Sequence, residues 1–249
     1  MWKTRRLSLV GLTAGALVAA LGLTFSANAA PGDGTANGAD HGAKTGTCRN
    51  GYVGLTYDDG PSATLPDLLA ALQANHLRAT MFNMGVNAEA HPDLVTAEAA
   101  AGMWVGNHTY THPHLPQLDA NTSFEEIAST QWVLSGILHR TPTLFRPPYG
   151  ETSDQVRAQE KSLNLVEVLW TVDSGDWNGA TTDQIVAAAS TLQPGGIILM
   201  HDWPANTITA VPRIAQMLKD RGLCAGRITY TPTDISGAGN TFHAIAVKP

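Results

Sequence analysis

The sequence predicts an α/β fold, a distorted and incomplete (β/α) barrel with about seven parallel strands. From Tyr52 onward, short apolar strand-like runs alternate with helix-like runs, which is typical of a parallel sheet covered by helices. Seven such units are one short of a complete eight-fold barrel. An open doubly wound sheet is the alternative. Both architectures place the active site at the C-terminal strand ends.

The predicted strands are short runs rich in apolar, β-branched and aromatic residues. In chain order they are Tyr52–Tyr57, Ala79–Asn83, Met103–Asn107, Thr143–Arg146, Leu165–Val172, Ile197–Met200 and a weaker Arg227–Tyr230. Polar clusters follow five of them, so we expect chemistry at these ends.

The predicted helices lie between the strands and repeat their apolar residues at three- and four-residue spacing. Their core-facing positions are Leu65, Leu68, Leu69 and Leu72; Ile127, Trp132 and Leu134 in looser phase; Ile185, Ala188 and Ala189; and Ile214, Met217 and Leu218. Thr181 to Asp183 is typical of a helix start, and Gly222 of a helix end.

Residues 1–29 have the pattern of a signal peptide, with three early basic residues, an apolar run and the cleavage signal Ala27-Asn28-Ala29. An uncleaved membrane anchor is the alternative, but the small residues and the cleavage motif favour a secreted, extracellular protein. Residues 30–47 are rich in Gly, Ala, Thr and Asp without apolar periodicity, which predicts a flexible linker. Residues 48–249 are therefore expected to form one folded domain.

The charge balance limits the classes of partner. The chain has 15 basic and 21 acidic residues, and loss of the three bases in the signal segment would change its formal net charge from −6 to −9. An acidic chain without basic runs argues against nucleic acid, and against a membrane once the signal is cleaved. A neutral polysaccharide fits better, and we expect a monomer.

The two cysteines, Cys48 and Cys224, lie near the two ends of the predicted domain. In an oxidising compartment such a pair predicts one disulfide, which would stabilise the fold by roughly 4–5 kcal/mol in the chain-entropy model. Two free buried thiols are the alternative. A zinc site on these residues would need more sulfur ligands than the chain has.

Asp58 and Asp59 end the first predicted strand before a Gly-Pro turn. Neighbouring residues on an extended backbone point in opposite directions. One carboxylate could therefore bind a metal ion while the other faces a water molecule on it. The alternative is an Asx-type turn that only ends the strand.

His108 and His112 follow the third predicted strand at a spacing of four. In a helical turn, both rings would lie on one face, close enough for one metal ion. With Asp59 they would form a three-ligand site open to water and substrate. Its nitrogen and oxygen donors favour zinc, with cobalt or nickel possible. We expect His114, beyond Pro113, to be a surface or packing residue.

The remaining clusters supply an arginine, two aspartates and a further histidine. Arg146, held rigid by the Pro-Pro that follows it, could fix the rotamer of a carboxylate, or form a purely structural salt bridge. An aspartate such as Asp173 or Asp176 could orient a histidine and raise its pKa. His201, at the end of the sixth predicted strand, is either that histidine or a satisfied core residue.

The five clusters resemble the motifs of carbohydrate esterase family four, the polysaccharide deacetylases with a NodB homology domain. They read Thr56-Tyr57-Asp58-Asp59-Gly60-Pro61, His108-Thr109-Tyr110-Thr111-His112, Arg146-Pro147-Pro148-Tyr149, Asp173-Ser174-Gly175-Asp176-Trp177 and Leu199-Met200-His201-Asp202. The resemblance runs from about Tyr52 to Gly222 and implies a distorted (β/α) barrel, with residues 48–249 as the catalytic domain. The one departure is Tyr57, where phenylalanine is more usual.

The resemblance also implies roles for the first three clusters. It implies that the metal ligands are Asp59, His108 and His112. It further implies that Asp58 is the catalytic base and that Arg146 holds it.

The same resemblance implies roles for residues later in the chain. His201 would be the catalytic acid, tuned by Asp176. The backbone N–H of Tyr149 would stabilise the oxyanion. Leu199 and Trp177 would form the pocket for the acetyl methyl group.

The sequence thus predicts a secreted metal-dependent deacetylase. The stretch from His201 to Thr207 is similar to secreted bacterial acetylxylan esterases of the family, which favours O-acetyl groups of xylan as substrate. An N-deacetylase of chitin oligomers or peptidoglycan is one alternative, and a non-catalytic glycan-binding protein is another. A serine triad is disfavoured because the chain has no Gly-x-Ser-x-Gly elbow.

Overall fold

The structure, a computed structural model, describes residues 48–230 together with the backbone of residues 247 and 248. The predicted signal peptide (1–29), the predicted linker (30–47) and most of the last 19 residues of the predicted domain lie outside the described residues.

The described chain alternates strands with helices. The strands are β1 (Tyr52–Gly60), β2 (Thr80–Asn83), β3 (Trp104–Asn107), β4 (Leu144–Phe145), β5 (Val166–Glu167), β6 (Val172–Asp173), β7 (Ile197–His201), β8 (Cys224–Ala225), β9 (Arg227–Ile228) and β10 (Val247–Lys248). The helices are α1 (Leu65–Ala74), α2 (Gly85–Ala90), α3 (Pro92–Ala100), α4 (Ala120–Leu138), α5 (Asp154–Ser162), α6 (Thr182–Ser190) and α7 (Ala205–Asp220).

Seven parallel strands form the main sheet in the order β5-β4-β3-β2-β1-β7-β6. Its two edge strands, β5 and β6, are consecutive in the chain and joined only by residues 168–171. That connection can span at most about 18 Å, whereas the edges of a flat seven-stranded sheet would lie about 29 Å apart. The sheet must therefore curl until its edges approach each other. This confirms the incomplete barrel and argues against the open doubly wound sheet.

The largest apolar core lies between the central strands and the helices packed on them. It joins residues of β1, β2 and β7 to the buried faces of α1, α6 and α7. All four leucines predicted for α1 are buried, as are Ile185, Ala189, Ile214 and Leu218. Strands β1 and β7, which carry two of the polar clusters, are thus anchored by apolar packing.

The predicted helix boundaries agree with the structure at two points. Thr181 caps α6 with a capping box, in which its hydroxyl accepts from the Gln184 N–H while the Gln184 side chain accepts from the Thr181 N–H. Helix α7 ends at Asp220, and Gly222 follows with φ of 66°. This left-handed backbone favours glycine.

Two predicted strands differ from the observed ones. The run Leu165–Val172 is two strands at opposite edges of the sheet, β5 beside β4 and β6 beside β7. Arg227–Tyr230 forms only the two-residue β9, which pairs antiparallel with β10 instead of joining the parallel sheet. The main sheet is extended instead by β8, which pairs with the beginning of β1.

Trp132 was predicted to face the core and is 65% exposed. At 100° per residue it lies about 140° around α4 from the buried Ile127, whereas Leu134 returns to within about 20°. The spacing in this run was irregular because Trp132 lies on the exposed side of α4, while Ile127 and Leu134 share its buried side.

Cys48 and Cys224 form a disulfide with a Cα–Cα separation of 5.3 Å, as predicted. The bond fastens the chain before β1 to β8, where Tyr52 pairs with Cys224. Among the described residues, no helix combines the length and apolar character that a membrane crossing requires.

Candidate active site

The candidate site lies at the carboxyl ends of β1, β3 and β7, which with β2 form four consecutive strands of the sheet. Asp58 and Asp59 are near the end of β1, His108 directly follows β3, and His201 is the last residue of β7. Because parallel strands bring their carboxyl ends to one edge, these side chains meet although 143 positions separate the first from the last.

Asp59, His108 and His112 form a cluster that could hold a metal ion. The Asp59 Oδ1 atom lies 3.5 Å from Nε2 of His108 and 3.5 Å from Nε2 of His112. This oxygen is buried and has no hydrogen-bond partner. A buried acceptor between two imidazole nitrogens is an arrangement that a divalent cation would satisfy. The donor set therefore fits the predicted metal site.

The two histidines converge for a different reason from the predicted one. Residues 108–112 are not helical, and Thr109 and His112 have φ of 65° and 63°. Their ring centroids are nevertheless only 4.9 Å apart. A loop with two left-handed residues, and not a helical turn, brings the rings together.

Left-handed backbone is concentrated at this site. Seven non-glycine residues of the described chain have positive φ. Four of them belong to the candidate site, namely Asp59, Thr109, His112 and Tyr149. Such conformations are costly for non-glycine residues and collect where a function fixes side-chain directions.

The His108 ring is oriented for ligation by its second nitrogen. Its Nδ1 lies 2.6 Å from the backbone oxygen of Arg146. A carbonyl can only accept, so Nδ1 must carry the hydrogen and Nε2 presents its lone pair towards Asp59. This is the usual way in which a protein fixes the tautomer of a metal-ligating histidine.

The charge states of the cluster also suit a cation. Burial by itself would raise the pKa of Asp59, but the adjacent His108 ring, and then the rings of His201 and His112, lower it below its usual value. Burial, and then the His108 ring, lower the pKa of His112 below 6.5. At neutral pH the first is a carboxylate and the second a neutral ring, the forms that bind metal.

Asp58 lies beside the metal-ligand cluster and is 2% exposed. Its Oδ1 accepts a 2.7 Å hydrogen bond from Nη1 of Arg146, and its Oδ2 is 3.7 Å from Nε2 of His108. The side chains of Asp58 and Asp59 were predicted to point in opposite directions, yet both reach His108 and so belong to one site. One oxygen of Asp58 is fixed while the other faces the cluster.

Arg146 is fully buried, and its guanidinium is held on several sides. Besides Asp58 it donates to the Thr56 hydroxyl, and to the backbone oxygens of Val168 and Leu169 in the connection between the sheet edges. Its charge lies over the Phe82 ring, 4.3 Å from the centroid. This network leaves the Asp58–Arg146 pair little freedom to move.

His201 and Asp176 form a second pair. The Nδ1 of His201 is 2.8 Å from Asp176 Oδ1, while Asp176 Oδ2 accepts from the His201 N–H at 2.8 Å and from the Thr207 hydroxyl at 2.7 Å. Burial by itself would lower the pKa of His201, but the Asp176 hydrogen bond and the Asp58 charge raise it. The free Nε2 lies 3.8 Å from Asp59 Oδ2.

Tyr149 lies on the other side of the cluster, with its ring 4.6 Å from His112 and stacked on His114 at 4.0 Å. Its φ is 60°, and within the described chain its N–H has no hydrogen-bond acceptor. His114 is a surface residue, as predicted, and also contacts Glu151 at 2.9 Å.

The two predicted pocket residues differ in exposure. Leu199 is buried in β7, whereas Trp177 is 53% exposed and donates from its indole nitrogen to Asp173. Asp173 therefore contacts Trp177, whereas Asp176 contacts His201. The sequence left open which of the two aspartates lies beside the histidine, and in the structure it is Asp176.

Sequence reasoning did not single out Trp203 or Thr207 for a role. The Trp203 indole lies 5.7 Å from the His201 ring and reaches Asp59 Oδ2 at 3.5 Å, while Thr207 binds Asp176. Both lie in the stretch from His201 to Thr207 whose similarity favoured xylan, but that similarity assigned neither of them a role.

The comparisons with known proteins agree with this geometry. The polysaccharide deacetylase family profile matches residues 45–168. A bifunctional xylanase/xylan deacetylase of Cellvibrio japonicus is 41% identical over 181 residues, or 72% of this chain, but the match spans only 27% of that protein. A peptidoglycan-N-acetylglucosamine deacetylase of Bacillus cereus is 33% identical over 72% of this chain and 68% of its own.

A solved structure shows the same fold. The family 4 carbohydrate esterase from Streptomyces lividans in complex with acetate is 53% identical, with a TM-score of 0.73 over 80% of this chain and 99% of that one. The chain therefore belongs to the polysaccharide deacetylases of carbohydrate esterase family 4.

Proposed function

We propose that the protein is a secreted, metal-dependent deacetylase that hydrolyses acetyl groups from a glycan, with O-acetyl xylan as the favoured substrate. One observation carries the proposal. Asp58, Asp59, His108, His112 and His201 meet at one edge of the sheet, with oriented partners behind them. This set supplies a metal site, a base and an acid without a nucleophilic side chain.

Asp59, His108 and His112 would hold the divalent ion, which would polarise the acetyl carbonyl and activate water. Their nitrogen and oxygen donors favour zinc, with cobalt or nickel as possible substitutes.

Asp58 would act as the general base. Arg146 holds its Oδ1, so Oδ2 is free to take a proton from the attacking water. The charged hydrogen bond from Arg146 keeps the rotamer of this buried carboxylate fixed. Removal of that proton makes the water nucleophilic beside the acetyl carbon.

Tyr149 and His201 would act on the intermediate that follows. Negative charge develops on the acetyl oxygen, and the unpaired N–H of Tyr149 is a preorganised donor for it. Asp176 can only accept, so Nδ1 of His201 keeps its hydrogen and Nε2 protonates the departing sugar oxygen or nitrogen. Leu199 and Trp177 would enclose the acetyl methyl group.

The choice of xylan rests on the degree of similarity. The xylan deacetylase relative is 41% identical and the peptidoglycan deacetylase relative 33%. An N-deacetylase of chitin oligomers or peptidoglycan would use the same residues, because the leaving amine also takes a proton from His201. A non-catalytic glycan-binding protein is disfavoured, because it would not need a complete set of base, acid and metal ligands.

The proposal includes the organisation of the chain. Residues 1–29 would be removed as a signal peptide, residues 30–47 would be a linker, and residues 48–249 the catalytic domain. The enzyme would act outside the cell as a monomer, on acetylated polysaccharide, and would bind neither nucleic acid nor membranes.

Acetate release measured side by side on acetylated xylan and on chitin oligomers tests the proposed substrate. We expect faster release from xylan at equal concentrations of acetyl groups. Faster release from chitin oligomers would select the N-deacetylase alternative. If the protein, supplied with metal, releases no acetate from xylan, chitin oligomers or peptidoglycan, the result would favour a non-catalytic glycan-binding protein.

A further inference from the structure

The loop between the two ligand histidines has no regular secondary structure, so the partners of its N–H groups can be assigned one by one. The His108 N–H donates to the Asn83 backbone oxygen at 3.0 Å, and the Thr109 N–H to Asn107 Oδ1 at 2.9 Å. The His112 N–H donates to the Thr109 hydroxyl at 3.2 Å. These three partners lie within the loop or on the strand ends beside it.

The two N–H groups in the middle of the loop depend on one distant side chain. Glu126, on α4, accepts from the Tyr110 N–H at 3.0 Å and from the Thr111 N–H at 2.7 Å, both through Oε2. Its Oε1 accepts from the Thr111 hydroxyl at 2.7 Å. A half-buried carboxylate thus accepts three hydrogen bonds from two of the three residues between His108 and His112.

Helix α2 holds the opposite side of the same loop. The N–H groups of Gly85 and Val86 donate to the backbone oxygens of Thr109 and Tyr110, at 2.9 and 3.1 Å. A Cβ added at Gly85 would lie 2.4 Å from the Tyr110 ring, so the loop packs closely there. Helix α2 fixes the carbonyl groups of Thr109 and Tyr110. The path of the loop then depends on what holds its N–H groups.

We propose that Glu126 is a positioning residue for the metal site, because it fixes the backbone that separates the two ligand histidines. This inference rests on the proposed function, since it presumes that Asp59, His108 and His112 bind a divalent ion. Without Glu126, two loop N–H groups lose their acceptor and the left-handed turns at Thr109 and His112 lose their support. The two imidazoles would then be less well placed for one ion.

Two conservative substitutions separate this geometric role from an effect of charge. Glu126→Gln removes the charge but keeps an oxygen for both N–H groups, and its amide can donate to the Thr111 hydroxyl. Glu126→Asp keeps the charge but shortens the side chain by one methylene, so the carboxylate no longer reaches. Glu125→Gln and Glu125→Asp, at the exposed neighbouring position of α4, are matched controls.

The test measures the Kd of Zn²⁺ for metal-stripped full-length protein, by competition with a chromophoric chelator. Thermal unfolding of the metal-free forms checks that each variant is folded. We expect Glu126→Asp to weaken binding by about 10–100-fold, while Glu126→Gln and both controls stay close to wild type. Added ion should restore the acetate release that Glu126→Asp loses.

The inference is overturned if neither Glu126 variant weakens binding, or if Glu126→Gln weakens it as much as Glu126→Asp. Weakening by Glu126→Gln alone would also overturn it and would show that the carboxylate acts through its charge, which Glu126→Asp keeps. A wild-type protein that binds no divalent ion would contradict the proposed function itself, which is a separate result.

Discussion

Arg146 donates a 2.7 Å hydrogen bond to Asp58 across 88 positions of sequence, and their side chains are 0% and 3% exposed. Loss of either member of so deeply buried a pair would destabilise the fold, because the other charge would stay buried without its partner. Its position beside Asp59 and His108 gives it a second consequence, because the fixed carboxylate faces the place where a water molecule would react.

Asp58→Asn should separate the base from the metal ligands. The amide oxygen can still accept from Arg146, so we expect the protein to fold and to bind its ion. It cannot take a proton, and the rate should fall by roughly 10²–10⁴-fold. Metal analysis and acetate release on the same preparation check this. Loss of the ion in Asp58→Asn would mean that the roles of Asp58 and Asp59 are reversed.

His201→Ala should reveal what the second pair does. A sugar alkoxide or amine needs a proton as it leaves, whereas an aryl oxide is stable as an anion. We expect kcat/KM for sugar esters and amides to fall by about two to four orders of magnitude. Aryl acetate hydrolysis should fall much less. Both substrates are measured at saturating metal, and equal losses would show that His201 does not protonate the leaving group.

Glu160→Gln should change how stability depends on pH. Burial, and then the neighbouring Glu167 carboxyl, raise the pKa of Glu160 from 4.5 to about 9. The folded protein therefore keeps a proton that the unfolded chain releases, so stability is lost as pH rises from about 4.5 through about 9. Glutamine is neutral throughout and avoids this loss.

Thermal unfolding at pH 5 and pH 8 measures the effect. We expect the Tm of Glu160→Gln, relative to that of wild type, to be several degrees higher at pH 8 than at pH 5. In a domain of this size, about 1 kcal/mol of stability moves Tm by about 2–4 °C. Glu125→Gln, at an exposed position, should show no such difference. A change of equal size at both pH values would contradict the raised pKa.

Reduction of the Cys48–Cys224 disulfide should lower stability without removing the site. The bond closes a loop of 176 positions, and its loss should cost roughly 4–5 kcal/mol in the chain-entropy model. Neither cysteine lies in one of the five polar clusters. We expect a lower Tm with acetate release retained below the melting range. Two titratable thiols in protein produced in an oxidising compartment would be the contrary finding.

The features that could be predicted from sequence are those with local signals. The order of strands and helices follows from apolar spacing, and the site residues lie at strand ends, as with Asp58 near the end of β1 and His201 at the end of β7. The helical turn at His108 was wrong because the loop is shaped by Glu126 and α2, which are remote in sequence. The break within Leu165–Val172 was missed because the run is a continuous, mostly apolar stretch and no periodicity marks a change of sheet edge.

The central claim is that an ion held by Asp59, His108 and His112 is required for deacetylation. The most direct measurement is acetate release from acetylated xylan by wild type and Asp59→Ala, before and after chelation and after stepwise return of Zn²⁺, with bound metal quantified in each sample. We predict that wild-type activity disappears with the ion and returns at about one ion per chain, and that Asp59→Ala neither binds nor recovers. Full activity in a metal-free wild-type preparation would contradict the account.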